Sequence, residues 1–220
     1  MAQFRFVTVV AIACAVPLAA FERLNQRTLE EALSIGQSRI EHIRTRFHAA
    51  YRFAAAASAP VDYVEIVTPF RSVVLAAEAR YRIGDRTFGV REAREVVIDS
   101  GDQVLANVEL TFHPHNTFIF VPMYAVWLTT PKGSVAEGQA PLTTDRLTRY
   151  GPRVEGFPVP VHPTKPVGPG PTQTLTGGVL VAHFDATTLD PRGVYDVVVR
   201  EKQEGPKELA RVRVDFSRLR

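Results

Sequence analysis

Cysteine is almost missing from this chain: its 220 residues hold one, Cys14, inside the N-terminal apolar segment. A mature chain starting beyond that segment has no thiol, which excludes disulfide bonds, zinc–thiolate sites and a catalytic cysteine. A Gly-x-Ser-x-Gly elbow is also absent, and the serines in ASAP, DSGD and KGSV have no adjacent base. The GPGP stretch lacks the Lys and the Ser/Thr of a phosphate-binding loop. The longest uncharged apolar run falls short of the roughly 20 residues a membrane-spanning helix needs. No segment repeats another. The expectation from these absences is a non-enzymatic protein without a cofactor.

What is present begins with the leader. The opening MAQFRFVTVVAIACAVPLAA carries one basic residue, Arg5, then an apolar run over residues 6–20 that ends in small side chains before Glu22 and Arg23. This is the three-part pattern of a secretory signal peptide, with cleavage expected near Ala20. An uncleaved anchor is one alternative. Lipidation at Cys14 is the other, since Ala11-Ile12-Ala13-Cys14 loosely resembles a lipobox with Ala where Leu is usual. A cysteine-free exported protein fits a bacterial periplasm or cell surface better than a small eukaryotic secreted domain, which needs covalent staples.

The formal net charge is +3, of which Arg5 contributes one. Acidic and basic residues alternate, as in REAREVV and VVVREKQEGPKE, and no basic cluster interleaved with aromatics stands out. Nucleic acid is therefore not an expected partner. A membrane is expected as a partner only through the N-terminal segment, if that is uncleaved or lipidated.

The first half reads as helical. Residues 22–57 contain no proline, and Leu29, Ala32, Leu33, Ile40, Ile43, Phe47 and Tyr51 recur at helical spacing. They predict one long amphipathic helix, with Thr28 and Glu31 as a capping box for its regular part. Residues 61–67 read as a short strand. Thr68-Pro69 then reads as the cap and first residue of a second helix that Gly84 ends, and VREAREVVID as a third. Their expected buried positions are Val73, Val74, Ala77 and Tyr81, then Val90, Ala93, Val96 and Val97.

The second half reads as β. Residues 104–112 alternate, with Val104, Ala106, Val108, Leu110 and Phe112 on one side. Residues 117–129 are apolar on both faces, which suits a covered strand with Pro122 at a bulge or an unpaired position. GGVLVAHFDA, GVYDVVVREK and ELARVRVDFSRL supply three more strands. TTLDPRG and QEGPK read as the tight reversals between them. Nine of the sixteen prolines fall in residues 131–171, within a proline-rich loop over 131–176. Such a loop is a candidate recognition segment, because a pre-extended chain loses little entropy on binding.

The expected fold is therefore α+β: one long and two short N-terminal helices over residues 21–100, then an antiparallel β-sandwich of immunoglobulin-like general architecture over residues 101–220. The comparison is one of architecture, because the buried cysteine pair of a true immunoglobulin domain, with the tryptophan packed on it, is absent.

Two sets of residues carry possible chemistry. His113 and His115 flank Pro114, and Met123 follows. Imidazole and thioether together are ligands for copper, and a His-x-His pair on an extended strand presents both rings to one side. The competing reading makes His113-Pro114-His115-Asn116 the turn between two strands, with His162 and His183 too dispersed to converge. The second set is aromatic: Trp127, Tyr150 and Phe157, if exposed, form a face for a protein or glycan. Together these give an exported binding or assembly module of the bacterial cell envelope. A periplasmic copper-type protein using His113, His115 and Met123 is the alternative.

Overall fold

A computed structural model describes residues 24–56, 60–112, 124–131, 177–201 and 207–220. Among these residues the chain is α+β, with four helices and two antiparallel sheets, neither closed into a barrel. The helices are α1 (Gln26–Gly36), α2 (Glu41–Ala49), α3 (Pro69–Arg82) and α4 (Val90–Ser100). Strands β1 (Arg52–Ala54), β2 (Val61–Val67), β3 (Gln103–Thr111) and β5 (Gly177–Asp185) form one sheet in the order β1-β2-β3-β5. Strands β4 (Tyr124–Thr129), β6 (Val194–Glu201) and β7 (Glu208–Asp215) form the other in the order β4-β6-β7.

Alternation decides which side of each strand is buried. Val104, Ala106, Val108 and Leu110 of β3 join Val64 and Ile66 of β2 and Leu180 and Phe184 of β5 in one apolar cluster. The same cluster takes Val126 and Leu128 of β4, Val197 and Val199 of β6, and Val212 and Val214 of β7. The two sheets thus share a core. A second cluster unites Leu29, Ala32 and Leu33 of α1 with Phe70, Val73, Val74 and Ala77 of α3 and Ala93 of α4. Phe47 of α2 packs against both clusters and joins them.

Thr68 caps α3 through its hydroxyl, which accepts from the Arg71 N–H at 3.3 Å, and Pro69 opens the helix. That matches the sequence reading. The one long helix expected over residues 22–57 is instead α1, a turn, α2 and the short strand β1. Its cap is Asn25, whose Oδ1 accepts from the Thr28 N–H at 3.0 Å, so Thr28 lies one turn inside. The break follows from packing at Gly36. A Cβ there would lie 2.5 Å from the Val74 carbonyl and 2.7 Å from Ala77 Cβ, so α1 meets α3 at its last residue and the chain must turn away. Gln37 fixes the turn by donating to the Phe88 carbonyl at 2.7 Å. In consequence Ile40 and Ile43, expected in the buried stripe, face outward at 50% and 38% exposure.

The connection from β5 to β6 is not the hairpin expected from TTLDPRG. β5 pairs with β3 and β6 with β4 and β7, so residues 186–193 cross between the sheets. Strands β1 and β2 bring part of the N-terminal half into the sheet centred on β3.

Candidate functional site

The three-stranded sheet carries the only tryptophan of the chain on its outer face. Along β4, Tyr124, Val126 and Leu128 point into the shared core while Ala125 and Trp127 alternate outward and are half-buried. Register places Trp127 opposite Val198 of β6, and Val198 opposite Arg211 of β7. The next rows are Ala125 opposite Arg200, and Thr129 opposite Asp196 opposite Arg213.

A charge lattice covers the β7 side of this face. Asp196, only 2% exposed, accepts from Arg211 Nη1 and from Arg213 Nε, each at 3.3 Å. Arg211 also grips both Glu208 oxygens, at 2.9 and 2.6 Å, and that bond holds its proton more tightly than usual. The β4 side is different. Arg200 Nε and Thr130 Oγ1 are buried and make no hydrogen bond among the described residues. Arg200 sits on β6 in the row next to that of Trp127, and Thr130 follows the last residue of β4.

The remaining aromatic candidates, Tyr150 and Phe157, lie outside the described residues, as do the metal candidates His113, His115 and Met123. His162 lies outside them too. The residues bracketing the His-Pro-His segment are described: the Phe112 and Tyr124 rings stack with centroids 6.4 Å apart. His183 is half-buried on the outer face of β5, where Nδ1 pairs with Gln103 Oε1 at 2.9 Å. Among the described residues, no three His, Cys, Asp or Glu side chains gather where a metal could bind. Among them, too, no helix is long and apolar enough to cross a membrane.

Two polar clusters that sequence reading did not single out tie the elements together. Glu78 of α3 receives Arg82 Nη2 at 2.6 Å, His48 Nε2 at 2.7 Å and Arg44 Nε at 3.3 Å. Burial raises its pKa, and the His48 and Arg82 contacts more than reverse this, leaving the carboxyl below its ordinary range. Arg71, 1% exposed, donates to the Ile66 carbonyl at 2.5 Å, pairs with Glu65 and lies over the Tyr51 ring at 4.9 Å. The Tyr51 hydroxyl in turn accepts from the Arg220 N–H at 3.2 Å. Arg44 of the first cluster also donates to the Ser38 carbonyl, and the Thr68 hydroxyl borders the second at Tyr51. A carboxylate held ionised by two guanidinium groups and a histidine contact is an anchor rather than a proton carrier at neutral pH.

Sequence reading also passed over a basic stretch. Residues 39–52 contain Arg39, Arg44, Arg46, Arg52, His42 and His48 against one acidic residue, Glu41. Phe47 and Tyr51 lie among them. The signal was present as local charge balance, hidden by the alternating signs elsewhere.

No protein-family model matches the chain, and no curated protein or solved structure is significantly similar to it.

Proposed function

We propose that this protein is an exported, non-enzymatic binding or assembly module of the bacterial cell envelope, which takes a protein or glycan partner on the outer face of its three-stranded sheet. The observation that carries this reading is Trp127, outward and half-buried on β4, with Arg200 in the neighbouring row of β6. Tryptophan and arginine are the residues that dominate binding energy at interfaces, where a flat ring supplies area and a guanidinium supplies directed hydrogen bonds. The scaffold is an antiparallel β-sandwich of immunoglobulin-like general arrangement, a reading supported by two antiparallel sheets sharing one core. Export rests on the leader pattern of residues 1–20 and on the lack of cysteine beyond it.

The test is co-sedimentation of the purified protein with isolated bacterial envelopes. Trp127→Ala is expected to weaken retention by about tenfold or more, as loss of a hot-spot ring does. Equal retention of the wild type and Trp127→Ala removes this face from the account.

A further inference from the structure

Among the described residues, α2 is the one α-helix with no buried residue, and its outward side is both apolar and basic. Ile40 and Ile43 are 50% and 38% exposed and lead along the helix into Phe47, whose ring enters the core. Beside them Arg39, His42 and Arg46 are exposed. Within the helix, spacings of three and four place Ile43 and Phe47 in one row and His42 and Arg46 in the adjacent row, and Arg39 and Ile40 lead into its first turn. The other two cations of the helix, Arg44 and His48, turn inward onto Glu78, so the exposed row is held in place from beneath. Ile40 also occupies the N-cap, where it gives the first turn no side-chain hydrogen bond. A position that usually carries Ser, Thr, Asp or Asn is here an exposed hydrocarbon.

Adjacent apolar and cationic rows on an exposed helix match a surface of hydrocarbon beneath anionic headgroups.

We infer that the α2 face, centred on Arg39, Ile40, Ile43 and Arg46, docks on the anionic phospholipid surface of a membrane. The docking is peripheral and reversible: isoleucine side chains enter the headgroup boundary while the guanidinium groups meet lipid phosphates.

The experiment is co-sedimentation of the full chain with phosphatidylcholine vesicles and with vesicles also containing phosphatidylglycerol. The N-terminal amine and Arg5 favour anionic vesicles too, so the α2 face is read as the difference in that preference between the wild type and the α2 variants. About tenfold stronger binding to the anionic vesicles is expected, falling towards the neutral level in high salt. Arg39→Gln/Arg46→Gln and Ile40→Ser/Ile43→Ser each abolish most of that preference with unchanged Trp127 emission. Arg94→Gln/Arg192→Gln, which removes the same charge from two other exposed positions, retains it. Equal binding of the wild type to both vesicles overturns the inference, as does equal loss in the Arg94/Arg192 control. Sedimentation without vesicles that depends on Ile40 and Ile43 assigns the face to a second copy of the chain, and overturns it too.

Discussion

His48 Nε2 of α2 lies 2.7 Å from Glu78 Oε2 of α3, and this contact turns a helix with no buried residue into a fixed part of the fold. Because the carboxyl is held below its ordinary pKa, it is the acceptor and His48 Nε2 the donor. Arg44 reaches the other oxygen at 3.3 Å, so α2 is held at two points one turn apart.

Glu78→Gln is therefore expected to cost about 2 kcal/mol, the scale of hydrogen bonds to a charged group. The pH dependence has a definite sign. A carboxyl with a depressed folded pKa gives stability that is present above its unfolded value near 4.5 and is lost as pH falls through the folded value. Thermal unfolding from pH 7 down to pH 3 should show a decline below about 4.5 that is shallower in Glu78→Gln.

Arg71 is a stronger test of burial. Arg71→Ala leaves the Ile66 carbonyl and Glu65 without their guanidinium, which costs about 3–5 kcal/mol for a buried pair broken on one side. In a chain of this length that lowers the melting temperature by roughly 6–20 °C. Arg71→Lys retains the charge but not the planar fork and is expected to fall between. Arg52→Ala, which removes an exposed cation 4.0 Å from the same Glu65, changes stability by less than about 1 kcal/mol.

Gly36→Ala sets two effects against each other. Alanine gains about 1 kcal/mol of helix propensity. Its Cβ, however, meets the Val74 carbonyl at 2.5 Å and the Glu78 backbone nitrogen at 3.1 Å, and backbone cannot move aside as a side-chain tip does. Net destabilisation of about 1–3 kcal/mol is expected, read by denaturant unfolding. A stabilised variant contradicts the close α1–α3 contact.

Tyr124 supplies an alkaline counterpart. Burial first, then the nearby Glu201 charge, push its hydroxyl up to about 12. A raised folded pKa gives stability that is complete below the unfolded value of 10.0 and is lost as pH rises through the folded one. Tyr124→Phe should flatten the loss of stability between pH 10 and about 12. In ultraviolet titration of the folded proteins, Tyr124→Phe should lose one tyrosine from those ionising well above pH 10, where burial also places Tyr51 and Tyr63 above their ordinary value.

Period-two alternation made the β half legible. The five residues from Val104 to Phe112 expected inside are buried. The Thr68-Pro69 start of α3 was legible for the same local reason: cap and proline act within one turn. What sequence could not give was set by contacts distant in the chain. The α1–α2 break depends on a glycine meeting a helix some forty residues later, and the β5–β6 crossing depends on which sheet each strand joins. Glu78 looked like any helix-surface acid, because its partners Arg44 and His48 come from another helix. Trp127 was singled out as an aromatic, but its outward direction and its place opposite Val198, one row from Arg200, needed strand register.

The most direct test of the binding reading is photo-crosslinking in living bacteria, with a photoreactive side chain in place of Trp127 and, separately, of Asn107 on the outer face of the other sheet. The account predicts a discrete envelope adduct from position 127, its loss on adding Arg200→Ala, and none from position 107. No adduct at 127, or the same adducts from both positions, contradicts it.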